Sequence, residues 1–296
     1  MITPDRPSER HTDMLLLFVV VIWAANYPAA KYAIEGLDLF VFNGVRYVVA
    51  AVVLAAIFFS RSSWQHIERA DWPKLIRAGI VANVLYQMMF IVGLRMTTAG
   101  NSAILLATSP LWTIFIDSRI HRSLISLSMW LGMALSLCGI FIIVFGSSQK
   151  LEIGGMALVG DLLSLAAAFL WGFSTNLQKP LLVRYSPTQV ALVMISAGAV
   201  GLSLVAVPPA LTARWMAIDW KYYLAAILSG ALSIGLGNAV WSHGVKKLGP
   251  GRTANYSNLV PVLALVISYF GLEESLTYVQ CIGAGVTLVG VWVARR

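Results

Sequence analysis

Apolar runs of membrane-spanning length recur from one end of this chain to the other. They fall at about 14–32, 39–59, 73–94, 99–118, 126–146, 157–178, 187–207, 221–245, 251–271 and 276–293. About 20 apolar residues carry a helix across ~30 Å of hydrocarbon, and no linker between these runs is long enough to hold a soluble domain. Composition agrees: 58 % of residues are hydrophobic and 11 % charged, with a mean hydropathy of +0.78, whereas soluble proteins are about a quarter charged. The expected fold is all-α and polytopic, with ten transmembrane helices. No G-x-x-x-x-G-K-[ST] phosphate loop is present, which excludes ATP hydrolysis as the driving reaction. The first run has a basic flank in Arg6 and Arg10. No A-x-A site follows it, so it reads as a retained helix and not a signal peptide.

A net charge of +8 would suit a nucleic-acid binder, but its placement argues against one. With the N-terminus on one side, that side collects fifteen Lys and Arg residues, from Arg6 and Arg10 through Arg61, Arg69, Lys74, Arg77, Lys246 and Lys247 to Arg295 and Arg296. The other side holds five: Lys31, Arg95, Lys150, Arg214 and Lys221. This asymmetry follows the positive-inside rule and puts both termini in the cytoplasm. Cys138 and Cys281 lie inside different runs; no disulfide framework is implied, and both read as packing residues.

The chain also repeats itself. A shift of 148 residues places Asp13 on Asp161, Trp23 on Trp171, Lys31 on Lys179, and Asp71-Trp72 on Asp219-Trp220. After a three-residue insertion the shift becomes 151, and Gly79 meets Gly230, Gly93 meets Gly244, Pro110 meets Pro261, Gly132 meets Gly283 and Gly139 meets Gly290. An ordered series with a single change of offset reads as a duplication: residues 14–146 form one repeat and 157–293 the other. Five spans per repeat is an odd number, so the second copy enters the membrane inverted. Inverted repeats belong to transporters, whose substrate site lies near the bilayer midplane.

Polar residues at that depth are the candidate site. Asp13 to Lys31 spans about 27 Å of helix, close to the hydrocarbon thickness, so both aspartates read as N-caps and both lysines as snorkelling C-terminal charges. Trp23 and Trp171 then sit at mid-membrane, away from the interfacial belt where tryptophan gathers. Asn26 and Tyr27 share the face of Trp23, as Ser174 and Thr175 share that of Trp171. Such a face serves either interhelical packing or a wet cavity. The cavity reading is favoured because Tyr86 and Gln87, Trp112, Asn238 and Trp241, and Tyr256 and Asn258 continue the pattern in other spans. Pro110 and Pro261, inside spans and at equivalent positions, are expected to free the carbonyls of Leu106 and Ser257 and to act as hinges or static kinks. Arg46 is the one Lys or Arg that falls inside a span and not at one of its two sides. It is read equally as a partner for a substrate carboxylate or a cap on freed carbonyls. The glycines spaced seven apart in spans 5 and 10 read as close-packing surfaces.

No carboxylate stands near the middle of any span, and no His/Cys/Asp group has metal-ligand spacing. Neither a metal nor any other cofactor is expected, and there is no nucleophile with a base that would mark an enzyme.

Several stretches resemble the drug/metabolite transporter superfamily, in its two-repeat, ten-helix EamA branch. They are "LDLFVFNGVRYVVAA", "GDLLSLAAAFLWG", "GVKKLGPGRTANYSNLVPVLALVISYFGLEE" and the final "IGAGVTLVGV". The first-half segment "GLRMTTAGNSAILLATSP" fits as well, although no L-G-E follows it. Within the family the chain is most similar to bacterial aromatic amino-acid exporters. The resemblance implies an inner-membrane exporter of aromatic and other neutral amino acids that works by alternating access. The residues agree in kind, since aromatic walls, amides and at most one cation suit a small zwitterion with an apolar side chain. The alternatives are an exporter of another metabolite or drug class, or an intramembrane enzyme. The expected partners are a small-molecule substrate and the lipid bilayer, with no nucleic acid, and the expected state is a monomer.

Overall fold

In hydrocarbon a main chain can satisfy its polar groups only within its own turns or in a closed barrel. Runs this rich in Leu, Val, Ile and Ala therefore become helices. The computed structural model describes residues 7–61, 64–97, 102, 105–122, 124–145, 155–213, 215–271 and 277–294, and these contain helices and no strand. The first elements are α1 (Pro7–Gly36), α2 (Leu39–Arg61) and α3 (Trp72–Gly79), followed by a π-helical stretch, Ile80–Leu85, and α4 (Tyr86–Met96). Then come α5 (Ser109–His121), α6 (Leu127–Phe145), α7 (Gly155–Arg184), α8 (Pro187–Thr212) and α9 (Trp220–Leu228). A second π-helical stretch, Ser229–Leu236, leads into α10 (Gly237–Leu248) and α11 (Pro250–Asn255). A 3-10 turn, Tyr256–Asn258, precedes α12 (Leu259–Gly271), and α13 (Tyr278–Ala294) ends the series. Among the described residues six helices are long and apolar enough to cross a membrane: Leu39–Ser60, Trp72–Gly93, Leu127–Phe145, Met156–Arg184, Pro187–Thr212 and Trp220–Leu248. Lys150, expected between the two repeats, lies outside the described residues.

Two compact units share the chain, Met1–Val84 with Leu177–Lys247 and Leu85–Asn176 with Leu248–Arg296. Neither unit is one half of the sequence. In the first, glycines explain the exchange of helices. A Cβ on Gly79 would stand 2.6 Å from the Met194 carbonyl oxygen, and one on Gly230 would stand 2.5 Å from the Arg46 carbonyl oxygen. Only a residue without a side chain lets the two main chains approach so closely. Thus α3 lies on α8, and the second π stretch lies on α2. Asn83 reinforces the first contact by accepting from the Tyr47 hydroxyl at 3.3 Å and donating to the Met194 carbonyl at 3.0 Å.

One end of this unit is fastened by a polar cluster. Buried Asp71 accepts from Lys74 at 2.7 Å, from Arg184 at 2.9 Å and from the Tyr185 hydroxyl at 2.9 Å. Arg184 also pairs with Glu68 at 2.7 Å. Fully buried Gln189 completes the fastening, donating to the Gln65 carbonyl at 2.7 Å and accepting from the Gln65 N–H at 3.3 Å. The hydrogen bond from Lys74, and after it that from Arg184, holds the Asp71 carboxyl at about 2, below its ordinary 3.8.

In the second unit, α6 and α13 lie together along the glycine stripes. A Cβ on Gly139 would fall 2.3 Å from the Thr287 hydroxyl and one on Gly283 2.7 Å from the Gly139 carbonyl oxygen. Likewise, a Cβ on Gly290 would fall 2.4 Å from the Ser136 nitrogen. The seven-residue spacing therefore marks a backbone-to-backbone seam.

Three readings from the sequence are corrected. Asp13 and Asp161 are not N-caps, because their helices begin upstream at Pro7 and Gly155 and carry the polar flank inside the first turns. Asp161 instead accepts from the Thr97 hydroxyl at 2.6 Å. Lys179 does not end its helix, which continues to Arg184. Cys138 and Cys281 are free and exposed, turned away from the seam.

Two outcomes are expected. Gly139→Ala should lower the thermal midpoint in detergent, since overpacking costs ~1–3 kcal/mol. Gly285→Ala, whose Cβ would meet nothing within 4 Å, should hold or raise it, by up to about 1 kcal/mol of helix propensity. The sign difference within one helix pair is the readout. For the polar cluster, a carboxylate whose folded pKa is depressed contributes stability that is complete above its unfolded pKa and lost as pH falls through its folded pKa. The midpoint of the native protein should exceed that of Asp71→Asn by a steady margin above about pH 5, and the margin should close between about pH 4 and pH 2.

Candidate functional site

The polar and aromatic residues expected at membrane depth divide between the two units. In the first unit the second π stretch sets the geometry. A π-helix bonds each N–H to the carbonyl five residues back, and where it returns to α geometry the ladder skips an acceptor. Here the Gly237 N–H bonds the carbonyls of Leu232 and Ile234, passing over Ser233, its acceptor in an α-helix. The indole N–H of Trp23 donates to that Ser233 carbonyl at 3.0 Å. One turn earlier the Ser229 hydroxyl donates to Asn26 Oδ1. The Trp23 ring meets buried Trp241 at 5.3 Å between centroids, tilted by 42°. The Asn238 amide donates back to the Ile234 carbonyl at 2.8 Å. Trp23, Asn26, Asn238 and Trp241 thus form one group around a departure from α geometry.

Arg46 is buried, 7 % exposed. Its guanidinium donates to Asn43 Oδ1 at 3.3 Å and lies 4.9 Å above the Phe42 ring. The charge is therefore held by side chains of its own helix. Tyr27 has no described side chain.

In the second unit Tyr86 stands between Trp171, at 5.2 Å, and Phe90, at 6.1 Å and nearly parallel at 8°. Gln87, next to it, is buried. The Trp171 carbonyl accepts the hydroxyls of Ser174 and Thr175, each at 2.9 Å. These two side chains are spent on their own helix. Asn176, one residue further, donates to the Thr113 carbonyl of α5 and to the Gly172 carbonyl, each at 2.9 Å. Trp112 donates to the Thr108 hydroxyl at 3.2 Å and meets Phe169 edge-on at 5.5 Å.

The proline segments differ from expectation in one respect. Pro110 does not interrupt a helix; it stands in the first turn of α5, where a missing N–H leaves no bond unmade. The Leu106 carbonyl is not free either, because the Ser109 hydroxyl donates to it. Pro261 follows the 3-10 turn that breaks α11 from α12, and there the Ser257 hydroxyl donates to the Ala254 carbonyl at 2.7 Å. Within that turn Tyr256 and Asn258 are buried. The Asn258 amide donates to Asn255 at 3.5 Å, and its oxygen has no partner among the described residues.

Sequence reasoning missed Ser229, Ser233, Gly237 and Phe90. Phe90 was within reach, since the 151-residue shift places it on Trp241. The others depend on the π stretch, which has no side-chain signature. Among the described residues no group of three His, Cys, Asp or Glu could hold a metal.

Among the described residues, six membrane-length apolar helices mark a multi-pass membrane protein. The profile of the EamA-like transporter family matches residues 11–145 and again 158–296. The chain belongs to that family. An uncharacterized transporter of Archaeoglobus fulgidus is 23 % identical over 287 residues, covering 96 % of this chain and 98 % of its own. A Salmonella typhimurium protein described as a probable amino-acid metabolite efflux pump is 23 % identical over 299 residues, covering 96 % and 94 %. A solved crystal structure at 15 % identity superposes with a TM-score of 0.83 over 96 % of this chain and 98 % of that one, so the fold is shared.

The Ser229–Asn26 bond can be weighed directly. A double-mutant cycle of Ser229→Ala and Asn26→Ala, measured by unfolding in mixed micelles, should give a coupling of ~0.6 kcal/mol and at most ~1.7. A cycle of Asn26→Ala with Ser242→Ala, whose hydroxyl instead donates to Gln178, should give none.

Proposed function

We propose that the protein exports small neutral metabolites, aromatic and other hydrophobic amino acids above all, by alternating access at a midplane site where two inverted five-helix repeats meet. It works in a bacterial inner membrane as a monomer, with both termini in the cytoplasm. The observation that carries the reading is that the two tryptophans paired by the repeat each meet an aromatic ring of the corresponding span, at positions about one turn apart and not themselves equivalent. Trp23 faces Trp241 at 5.3 Å, and its repeat partner Trp171 faces Tyr86 at 5.2 Å. Helix boundaries support the duplication, since α1 and α7 both run for 30 residues and begin 148 residues apart, at Pro7 and Gly155. So do the paired main-chain contacts, Gly79 on Met194 and Gly230 on Arg46, which the two offsets map onto each other. The family profile fits each half separately. The relative described as an amino-acid metabolite efflux pump favours amino-acid substrates.

In this reading Trp23, Trp112, Trp171, Trp241, Tyr27, Tyr86 and Tyr256 supply apolar walls. Asn26, Gln87, Asn238 and Asn258 supply polar contacts, and Arg46 the one positive charge for a carboxylate. An aromatic wall contributes ~0.5–1.5 kcal/mol beyond the area it buries, a few-fold to about tenfold in affinity. Pro110 and Pro261, each beside a helix break, are the hinges. Aromatic substrates follow from the walls, and the shortage of midplane cations disfavours phosphorylated ones.

The test is flux of radiolabelled phenylalanine and threonine from proteoliposomes. Trp23→Ala and Trp171→Ala should each weaken phenylalanine transport a few-fold to tenfold and threonine transport less. Equal losses for both substrates in a protein of lowered thermal midpoint would make these tryptophans packing residues.

A further inference from the structure

The chain places glycine at 237 where the repeat-equivalent residue is Tyr86. The difference has a direct steric reading. A Cβ built on Gly237 would stand 2.7 Å from Trp23 Nε1 and 3.4 Å from its Cε2, inside van der Waals contact. The indole therefore fills the space that any other residue's side chain would occupy. Behind it lies the Ser233 carbonyl, skipped by the Gly237 N–H and taken by Nε1 at 3.0 Å. On the other side the ring is braced by Trp241 at 5.3 Å. Three features thus converge on one indole: a missing side chain, a carbonyl released by the π-to-α junction, and a ring wall. Together they fix which edge of Trp23 points into its own unit.

We infer that Gly237 is a positioning residue that sets the substrate preference of Trp23. By admitting the indole edge to the Ser233 carbonyl, it commits the N–H of Trp23 to the main chain. Trp23 then meets a substrate with its ring face and carbon edge, an apolar wall with its donor spent. This rests on the reading of Trp23 as a substrate wall. It adds that the preference for ring-bearing over hydroxylated side chains is determined at residue 237. With a methyl group there, the indole must leave the carbonyl and present a different surface. At the equivalent place the second unit carries a ring, Tyr86, which itself meets Trp171 at 5.2 Å. Discrimination through glycine is therefore a property of the Trp23 side alone.

The experiment uses the full-length protein in proteoliposomes and compares native, Gly237→Ala, Trp23→Phe and the double variant for phenylalanine and threonine flux. Trp23→Phe removes both the N–H and the ring edge that the methyl group introduced by Gly237→Ala would strike. The phenylalanine-to-threonine ratio should fall about three- to tenfold in Gly237→Ala, and adding Gly237→Ala to Trp23→Phe should change it less than twofold. A fall of the same size in both backgrounds overturns the inference, because residue 237 would then act without Trp23. An unchanged ratio in Gly237→Ala overturns it as well. Trp23→Ala, measured alongside, separates the two levels. If it alters the ratio while Gly237→Ala does not, the site reading stands and the positioning role falls; if it alters neither flux, both fall. The thermal midpoint of each variant shows that the compared proteins are folded.

Discussion

A carbonyl released inside a membrane has no water to turn to, and most departures of this chain from regular helix are arranged around that fact. Where the second π stretch skips the Ser233 carbonyl, an indole N–H takes it. Where the chain breaks before Pro110, the hydroxyls of Thr108 and Ser109 donate to the carbonyls of Leu105 and Leu106. Near Pro261 the Ser257 hydroxyl does the same for Ala254. Irregular backbone at membrane depth is thus paid for by side chains within reach. One of those side chains, Trp23, is also a residue of the candidate site. Trp23 thus satisfies the main chain from the same position at which it is a candidate wall.

The second organising constraint is main-chain proximity. Gly79 against Met194, Gly230 against Arg46, and Gly139 and Gly290 along the α6–α13 seam each bring two helices closer than any Cβ allows. Between helices in lipid there is little hydrophobic gain, so close van der Waals contact and buried hydrogen bonds supply the attraction. Asn83, bonded to Tyr47 and to the Met194 carbonyl, adds such a bond beside one of these contacts. Asn176 does so between α7 and α5.

Much of this was legible in the sequence. The apolar runs announced helices, and the glycines seven apart in spans 5 and 10 announced a seam. Trp23, Asn26 and Trp241, named from their depth alone, do come together within one unit. What escaped has physical reasons. A π-helix is chosen by tertiary contacts and not by side-chain type, so "IVANVL" and "SGALSIGL" carry no mark of it. Asp13 and Asp161 look like caps because polar residues abut an apolar run, yet their helices extend upstream into the polar flank. Pro110 reads as a helix breaker, but hydroxyls beside it can let a new helix begin there. The interleaving of the units could not be read from local pattern, because it depends on which distant glycines meet.

That interleaving bears on how the protein is made. The unit containing Met1–Val84 is completed only by Leu177–Lys247, and Leu85–Asn176 must leave the ribosome in between. At about 5–20 residues per second the delay is on the order of ten seconds. During it, the bare Gly79 face of α3 waits in the lipid for a partner not yet translated. Insertion of each helix and assembly of the helices are therefore separated in time, and the early helices must persist in the bilayer on hydropathy alone. A chain interrupted before Lys247 would leave inserted helices with neither unit finished.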